Sequence, residues 1–239
     1  AIDQIPFAYP PLAFYFTAAL NDLLKLDLLF LLRWLPLLFN LLTFIPAYHL
    51  ICRFLPEKNQ RIYAWLAYCM LLPGYYWFIM GGGLTRSLGT FFGFSAMVLF
   101  YDGLRKGGLK RFIYSGILLG FTALTHIEIT FFTVLVTLLM AVIFGGIRIK
   151  ISGLLIAGGL TLIIAGPFYV TIVIRHGLDV FMAALSSGTL SNLDWVFRLL
   201  RPAIAEEAFM HLFEVLFFLG MLVSLARRQY FLAAWMVVL

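Results

Sequence analysis

ISGLLIAGGLTLIIAGPFYVTIVI, residues 151–174, carries no charged side chain between Lys150 and Arg175. Its apolar residues do not alternate with polar ones as they would in a half-buried strand. As a helix rising about 1.5 Å per residue it covers about 36 Å, enough to cross about 30 Å of hydrocarbon. Working outward, further apolar runs lie near residues 28–51, 62–79, 84–101, 112–127, 129–147, 209–226 and from 229 onward. The sequence therefore predicts an all-α, polytopic transmembrane bundle of about eight spans, in a single domain over residues 1–239. Pro73-Gly74, Gly81-Gly82-Gly83, Gly107-Gly108 and Gly145-Gly146 punctuate the runs, as turn residues do. Residues 9–21, opened by Pro10-Pro11, are apolar but too short to span. They predict a helix lying flat at the interface, with Phe14 and Phe16 among its apolar contacts.

Composition agrees with this reading. The chain is 63% hydrophobic and 12% charged, with a mean hydropathy of +1.01. A soluble domain of this size would have too little polar surface to cover itself. A membrane barrel needs short alternating strands, which are absent from the pattern. Cys52 and Cys69 read as ordinary small apolar residues, without a disulfide or metal framework. The net charge of +6 calls for no nucleic-acid partner; its distribution carries the information. Arg53, Lys58, Arg61, Arg105, Lys106, Lys110, Arg111, Arg148, Lys150, Arg227 and Arg228 fall on one set of connections, eleven of the 17 basic residues. The positive-inside rule makes that set cytoplasmic. Only Glu57 and Asp102 of the 11 acids join it. The longest polar stretch, about residues 175–208, falls on the outer side. Gly89-xxx-Gly93 and Gly116-xxx-Gly120 allow close helix approach, and ordinary bundle packing is the reading for both.

The polar groups that could carry chemistry cluster at the outer face. Phosphate-cradling P-loops, zinc HExxH motifs and nucleophile elbows do not occur in the sequence. Arg86 follows the Gly81-Gly82-Gly83 turn near the start of a span, where a guanidinium and free backbone N–H groups suit an anion such as a phosphate at the lipid interface. The competing reading is an arginine snorkelling to headgroups. His126 and Glu128 interrupt apolar stretches near an outer helix end. Ionisable groups at such a depth line a polar cavity, pair with each other or bind a metal; two ligands alone do not make a metal site. Tyr75-Tyr76-Trp77 sit just inside the external turn, as an aromatic belt or as the wall of a site. Arg175-His176 end a span at the same face and could touch a headgroup. Glu206, Glu207 and Glu214 read as a solvated loop and helix start.

The order of these pieces resembles the polyprenyl-phosphate-sugar-dependent glycosyltransferases of the C superfamily, in the branch of the protein O-mannosyltransferases and aminoarabinose transferases. Carrying the resemblance are Tyr9-Pro10-Pro11-Leu12 opening a short helix, Arg33-Trp34-Leu35-Pro36 in the next span, and Pro73, Tyr75 and Tyr76 before the turn that leads to Arg86. Gly120-Phe121-Thr122-Ala123-Leu124-Thr125-His126 completes the series, and together the motifs cover roughly residues 5–150. The external turn reads Arg86-Ser87-Leu88, so the family's Arg-Pro-Asp is met by the arginine alone. The resemblance implies a multi-pass enzyme of a prokaryotic plasma membrane. It would move a sugar from a polyprenyl-phosphate donor to an acceptor hydroxyl on a glycan, lipid or protein at the outer face.

On that resemblance Arg86 would hold the phosphate, with His126, Glu128, Tyr76 and Arg175 as further substrate-binding residues. A divalent metal is the one cofactor to consider. The family's catalytic acid lies in the first external loop, upstream of the Pro-Pro-Leu helix. Both ends of the chain look cut, with no initiator Met and a final apolar run that breaks off. The general base is therefore expected upstream of residue 1, with Asp3 as a faint candidate, and the fragment alone is expected to be inactive. The rival readings are a multispan transporter and a polyprenyl-lipid-binding membrane protein without catalysis. Transporters place their ionisable residues near the midplane, whereas here they lie at one face.

Overall fold

The structure, a computed structural model, describes residues 9–70, 83–179 and 208–238. Among these residues the regular secondary structure is entirely α-helical. The helices are α1 (Leu12–Leu24), α2 (Leu28–Phe54), α3 (Lys58–Met70), α4 (Gly83–Lys106), α5 (Leu109–Thr125), α6 (Ile127–Ile143), α7 (Ile147–His176), α8 (Ala208–Ala226) and α9 (Tyr230–Val238). They belong to two compact units. The first is Tyr9–Phe168, and α7 leads from it into the second, which continues from Tyr169.

Each predicted apolar run overlaps a helix over its described residues, but the count of eight spans is only partly reproduced. Three helices, α2, α4 and α7, are long and apolar enough to cross a membrane. α5 and α6 have 17 residues each, about 25 Å of helix, which is less than the thickness of an average hydrocarbon core. The expected span 62–79 is described only as far as Met70. The short helix expected over 9–21 is α1, 13 residues long. It begins after Pro11 and ends where Lys25 turns left-handed at φ 54°. Phe16 packs on Phe39 at a ring distance of 5.7 Å, and Phe14 meets Tyr9 at 6.1 Å. α2 is started by Asp27, whose side chain accepts from the Phe30 N–H at 3.0 Å and so satisfies one of the free donors of the first turn.

α4 is the centre of the first unit. Its apolar stretch is 61% buried, against 33% for α2 and 17% for α7. Small residues let its neighbours approach. A Cβ on Gly93 would lie 2.6 Å from Thr133 Oγ1 of α6, and one on Gly103 would lie 2.7 Å from the Phe112 ring of α5. On α5, Gly116 and Gly120 face α7, where a Cβ would meet the Ala157 backbone at 2.7 Å and Ile164 at 2.8 Å. Both small-xxx-small pairs thus serve helix packing. Ser115 Oγ donates to the Ala96 carbonyl of α4 at 2.9 Å, and Thr161 Oγ1 of α7 reaches the Gly116 carbonyl at 3.3 Å. Hydroxyls therefore cross between helices where the glycines bring backbones close.

The basic connections of the first unit gather at one end. Phe54, Tyr101 and Phe144, from the ends of α2, α4 and α6, form a ring cluster with centroid separations of 5.0, 5.1 and 6.1 Å. Beside it Arg53 grips Asp102 with two parallel hydrogen bonds, Nε to Oδ1 at 2.9 Å and a terminal nitrogen to Oδ2 at 2.5 Å. Lys106 lies 3.7 Å from the same carboxylate. The chain then reverses from α4 to α5 through Gly107 and Gly108, with φ values of 69° and 106° that suit residues without a Cβ.

The glycine contacts give a matched test. Gly116→Ala should lower stability in detergent by about 1–3 kcal/mol, because the Ala157 backbone cannot yield as a side-chain tip would. Gly158→Ala, whose Cβ would meet nothing within 4 Å, should leave it unchanged or slightly raised. Thermal unfolding of the purified variants checks the contrast; equal effects would contradict the α5–α7 packing.

Candidate functional site

The opposite end of the first unit is built where α4 starts and α5 turns into α6. His126 is the single residue between α5 and α6, outside both helices. Its backbone N–H closes α5 on the Thr122 carbonyl at 3.0 Å. Its own carbonyl accepts from the Thr130 N–H at 3.1 Å and the Thr130 hydroxyl at 2.8 Å, starting α6. A reversal this tight fixes the imidazole by its backbone on both sides. α4 lies against it because a Cβ on Gly89 would sit 2.9 Å from Thr125 Oγ1 and 3.4 Å from His126 Cβ.

Arg86 occupies the first turn of α4 and faces this reversal. Its Nε donates to His126 Nε2 at 3.2 Å. A terminal nitrogen lies 3.7 Å from Glu128 Oε2. The imidazole is buried at 6% exposure. An acceptor nitrogen aimed at a guanidinium requires the neutral ring. Burial, followed by the Arg86 charge, pushes the His126 pKa down to about 4. The Ile129 N–H approaches the other nitrogen, Nδ1, at 3.4 Å. A neutral imidazole has one acceptor nitrogen, so the two contacts compete, and the shorter, charge-assisted one to Arg86 prevails. Glu128 stands in the first turn of α6, where a negative charge suits the helix dipole. Its side chain is 55% exposed, so its pairing with Arg86 is loose and worth about 0–1 kcal/mol.

Two residues beyond the sequence-predicted set complete the cluster. Tyr9 Oη and Thr85 Oγ1 lie 3.0 Å apart, and the Tyr9 ring stands edge-on to the His126 imidazole at 6.1 Å. Tyr9 thereby ties the chain leading into α1 to the start of α4. Its position directly before Pro10-Pro11 was the one available signal, and a hydrogen bond across 76 residues leaves no trace in spacing. Arg86, His126 and Glu128 are brought together. Arg175 lies exposed in the last turn of α7, in the other compact unit. Asp3, Tyr75, Tyr76, Trp77, Gly81 and Gly82 lie outside the described residues. Among the described residues no three side chains of metal-ligating type come together.

A second feature adjoins this end. An apolar groove of about 650 Å³ runs between α1 and α2, walled by Phe16, Leu20, Leu24, Phe30 and Trp34. Its floor residues Leu31, Leu35 and Phe39 belong to a buried cluster with Ala13, Leu84 and Leu88. Leu84 and Leu88 precede and follow Arg86 on α4, so the helix that carries the cation also packs, by its opposite face, against the floor of the groove. No protein-family model, characterised protein or solved structure matches the chain.

The neutral imidazole has a consequence for acid stability. With the folded pKa depressed to about 4 and an ordinary value near 6.5, the unfolded chain takes up the proton first as the pH falls. His126 then stabilises fully above about pH 6.5, and that contribution drains away towards pH 4, about 2–3 kcal/mol in all. His126→Gln, which keeps an acceptor for Arg86 without titrating, should flatten this part of the profile. Unfolding midpoints in detergent between pH 7 and 4, as a difference between the two proteins, check it; parallel profiles would contradict it.

Proposed function

We propose that the protein is a membrane glycosyltransferase that moves a sugar from a polyprenyl-phosphate donor to an acceptor hydroxyl at the outer membrane face. The observation that carries the reading is the cluster of Arg86, a buried neutral His126 and Glu128, gathered at the end of the unit away from the basic connections. A phosphate can take over the guanidinium with two parallel hydrogen bonds, displacing a carboxylate that contributes little. The adjoining groove is wholly apolar in its lining and suits the isoprenoid chain of the donor. The ordered motifs of residues 5–150 favour the same chemistry by resemblance.

In this mechanism the acceptor oxygen attacks the anomeric carbon, the bond to the phosphate oxygen breaks, and polyprenyl phosphate leaves with the bonding pair. Arg86 stabilises the charge that develops on the leaving phosphate. His126 is a positioning residue: as a neutral acceptor it orients the guanidinium without adding positive charge. A carboxylate takes the proton from the acceptor hydroxyl as general base; none of the described carboxylates is assigned to that role.

Arg86→Ala should weaken binding of a polyprenyl phosphate by about 1.5–3 kcal/mol, the scale of a charged hydrogen bond. Arg86→Lys should recover only part, because an ammonium lacks the planar fork. Lipid-binding titrations in detergent micelles, with sugar transfer followed in parallel, provide the measurement. Wild-type affinity and transfer rate in the alanine variant would overturn the proposal. Unaltered transfer-independent binding in a protein that never transfers sugar would favour the non-catalytic lipid binder.

A further inference from the structure

The end of the first unit opposite Arg86 carries a second charged surface, and the glycosyltransferase reading makes no use of it. Phe54, Tyr101 and Phe144 hold the ends of α2, α4 and α6 at one level. The turn at Gly145 joins them, since a Cβ there would lie 3.1 Å from the Leu104 carbonyl. Nine lysines and arginines lie within residues 53–61, 102–111 and 148–150, against Glu57 and Asp102.

These cations divide into two groups. Some are spent on the protein itself. Arg53 holds Asp102 and the His49 carbonyl, Lys106 lies 3.7 Å from the same carboxylate, and Arg61 donates to the Leu55 and Pro56 carbonyls at 2.7 and 2.9 Å. Arg111 caps the Gly107 carbonyl, and Lys150 reaches the Val142 carbonyl at 2.6 Å. The others, Lys58, Arg105, Lys110 and Arg148, are exposed and have no hydrogen-bond or ion-pair partner among the described residues. They stand on four different helix ends around the aromatic cluster. Glu57, one residue before Lys58, is the single exposed acid among the residues of this end.

We infer that this end binds the headgroups of anionic phospholipids, with Lys58, Arg105, Lys110 and Arg148 as the contacting cations. The argument is charge complementarity at a fixed depth. The helix ends that carry these side chains adjoin apolar helices, so the cations stand at the level where headgroup phosphates lie. Mutual repulsion among unpaired cations is costly, and an anionic leaflet relieves it. Each lysine or arginine near such a surface contributes about 1 kcal/mol of attraction, and Arg53, Arg61, Arg111 and Lys150 keep the loops in shape without being consumed by the lipid. The inference depends on membrane embedding and not on sugar transfer, so either can fail alone.

The test uses the whole chain reconstituted in phosphatidylcholine vesicles with and without phosphatidylglycerol, with energy transfer from the protein's tryptophans to labelled lipids of each kind. Phosphatidylglycerol should be enriched around the protein about fivefold, the factor that corresponds to a single cation's attraction of about 1 kcal/mol. The enrichment should fall in about 1 M salt, where the screening length is about 3 Å. It should vanish in the variant combining Lys58→Gln, Arg105→Gln, Lys110→Gln and Arg148→Gln. It should persist when the same positions exchange lysine for arginine and arginine for lysine, which shows that charge rather than folding is read. Soluble glycerol phosphate should not compete. Equal transfer to both lipids in the wild-type protein would overturn the inference. So would competition by free phosphate, or tight binding of an acidic polypeptide at this end with no lipid preference.

Discussion

The bidentate grip of Arg53 on Asp102 locks α2 to α4 at the end where both helices would otherwise bring unpaired charge to the edge of an apolar bundle. Hydrocarbon solvates neither group, so each has to be matched by the other or carried out to water. With both carboxylate oxygens bonded to the guanidinium, and Lys106 close by, the pair is satisfied within the protein. This fixes the height of α4 relative to α2. Because α4 is the most buried of the three long helices, its height sets the positions of α5 and α6, which lean on it through Gly103 and Gly93. Arg86 and Asp102 are 16 residues apart on that one helix, about 24 Å along its axis. The charged groups of the unit are therefore sorted to two ends, with small, apolar and hydroxyl-bearing residues packed between.

Close packing and hydrogen bonds also tie the candidate site together although its groups come from several segments. His126 has no neighbouring loop residues to move with; it is at once the last cap of α5 and the first of α6. Gly89 lets α4 come within contact of it, and Tyr9 closes the other side through Thr85. His126 orients the guanidinium as a neutral acceptor, and Glu128 is its ionic neighbour at 3.7 Å.

Much of this architecture was legible in the sequence, for identifiable reasons. Long apolar runs broken by Pro and Gly can only be helices in this composition, and the described parts of these runs are helical, three of them long and apolar enough to cross a membrane. Gly89, Gly93, Gly116 and Gly120 were readable as packing positions because small residues four apart share a helix face. Arg86, His126 and Glu128 were readable as a group because each is costly against lipid and each lies near a helix end away from the basic connections. The pairing of Arg53 with Asp102 and of Tyr9 with Thr85 was not readable. Partners separated by 49 and 76 residues meet through tertiary packing, and one sequence carries no record of it. Helix boundaries were the other weak point: hydropathy carries an apolar run into its turn, while capping at His126 and at Phe144 ends α5 and α6 at Thr125 and Ile143. Arg175 looked equivalent to Arg86 by its place at a helix end, yet it stands on the other unit, a division that spacing could not reveal.

The central claim is the sorting of charge to two ends of one bundle, and it can be measured as a position in the membrane. Spin labels placed at Glu128 and at Arg105, both exposed, in the protein reconstituted in sealed vesicles report their separation and their access to a water-soluble relaxation agent that cannot cross the bilayer. The account predicts a separation of about 25–30 Å, the rise of α4 between Arg86 and Arg105, with one label reached from outside the vesicle and the other only from within. Two labels reached from the same side, at any separation, would contradict it.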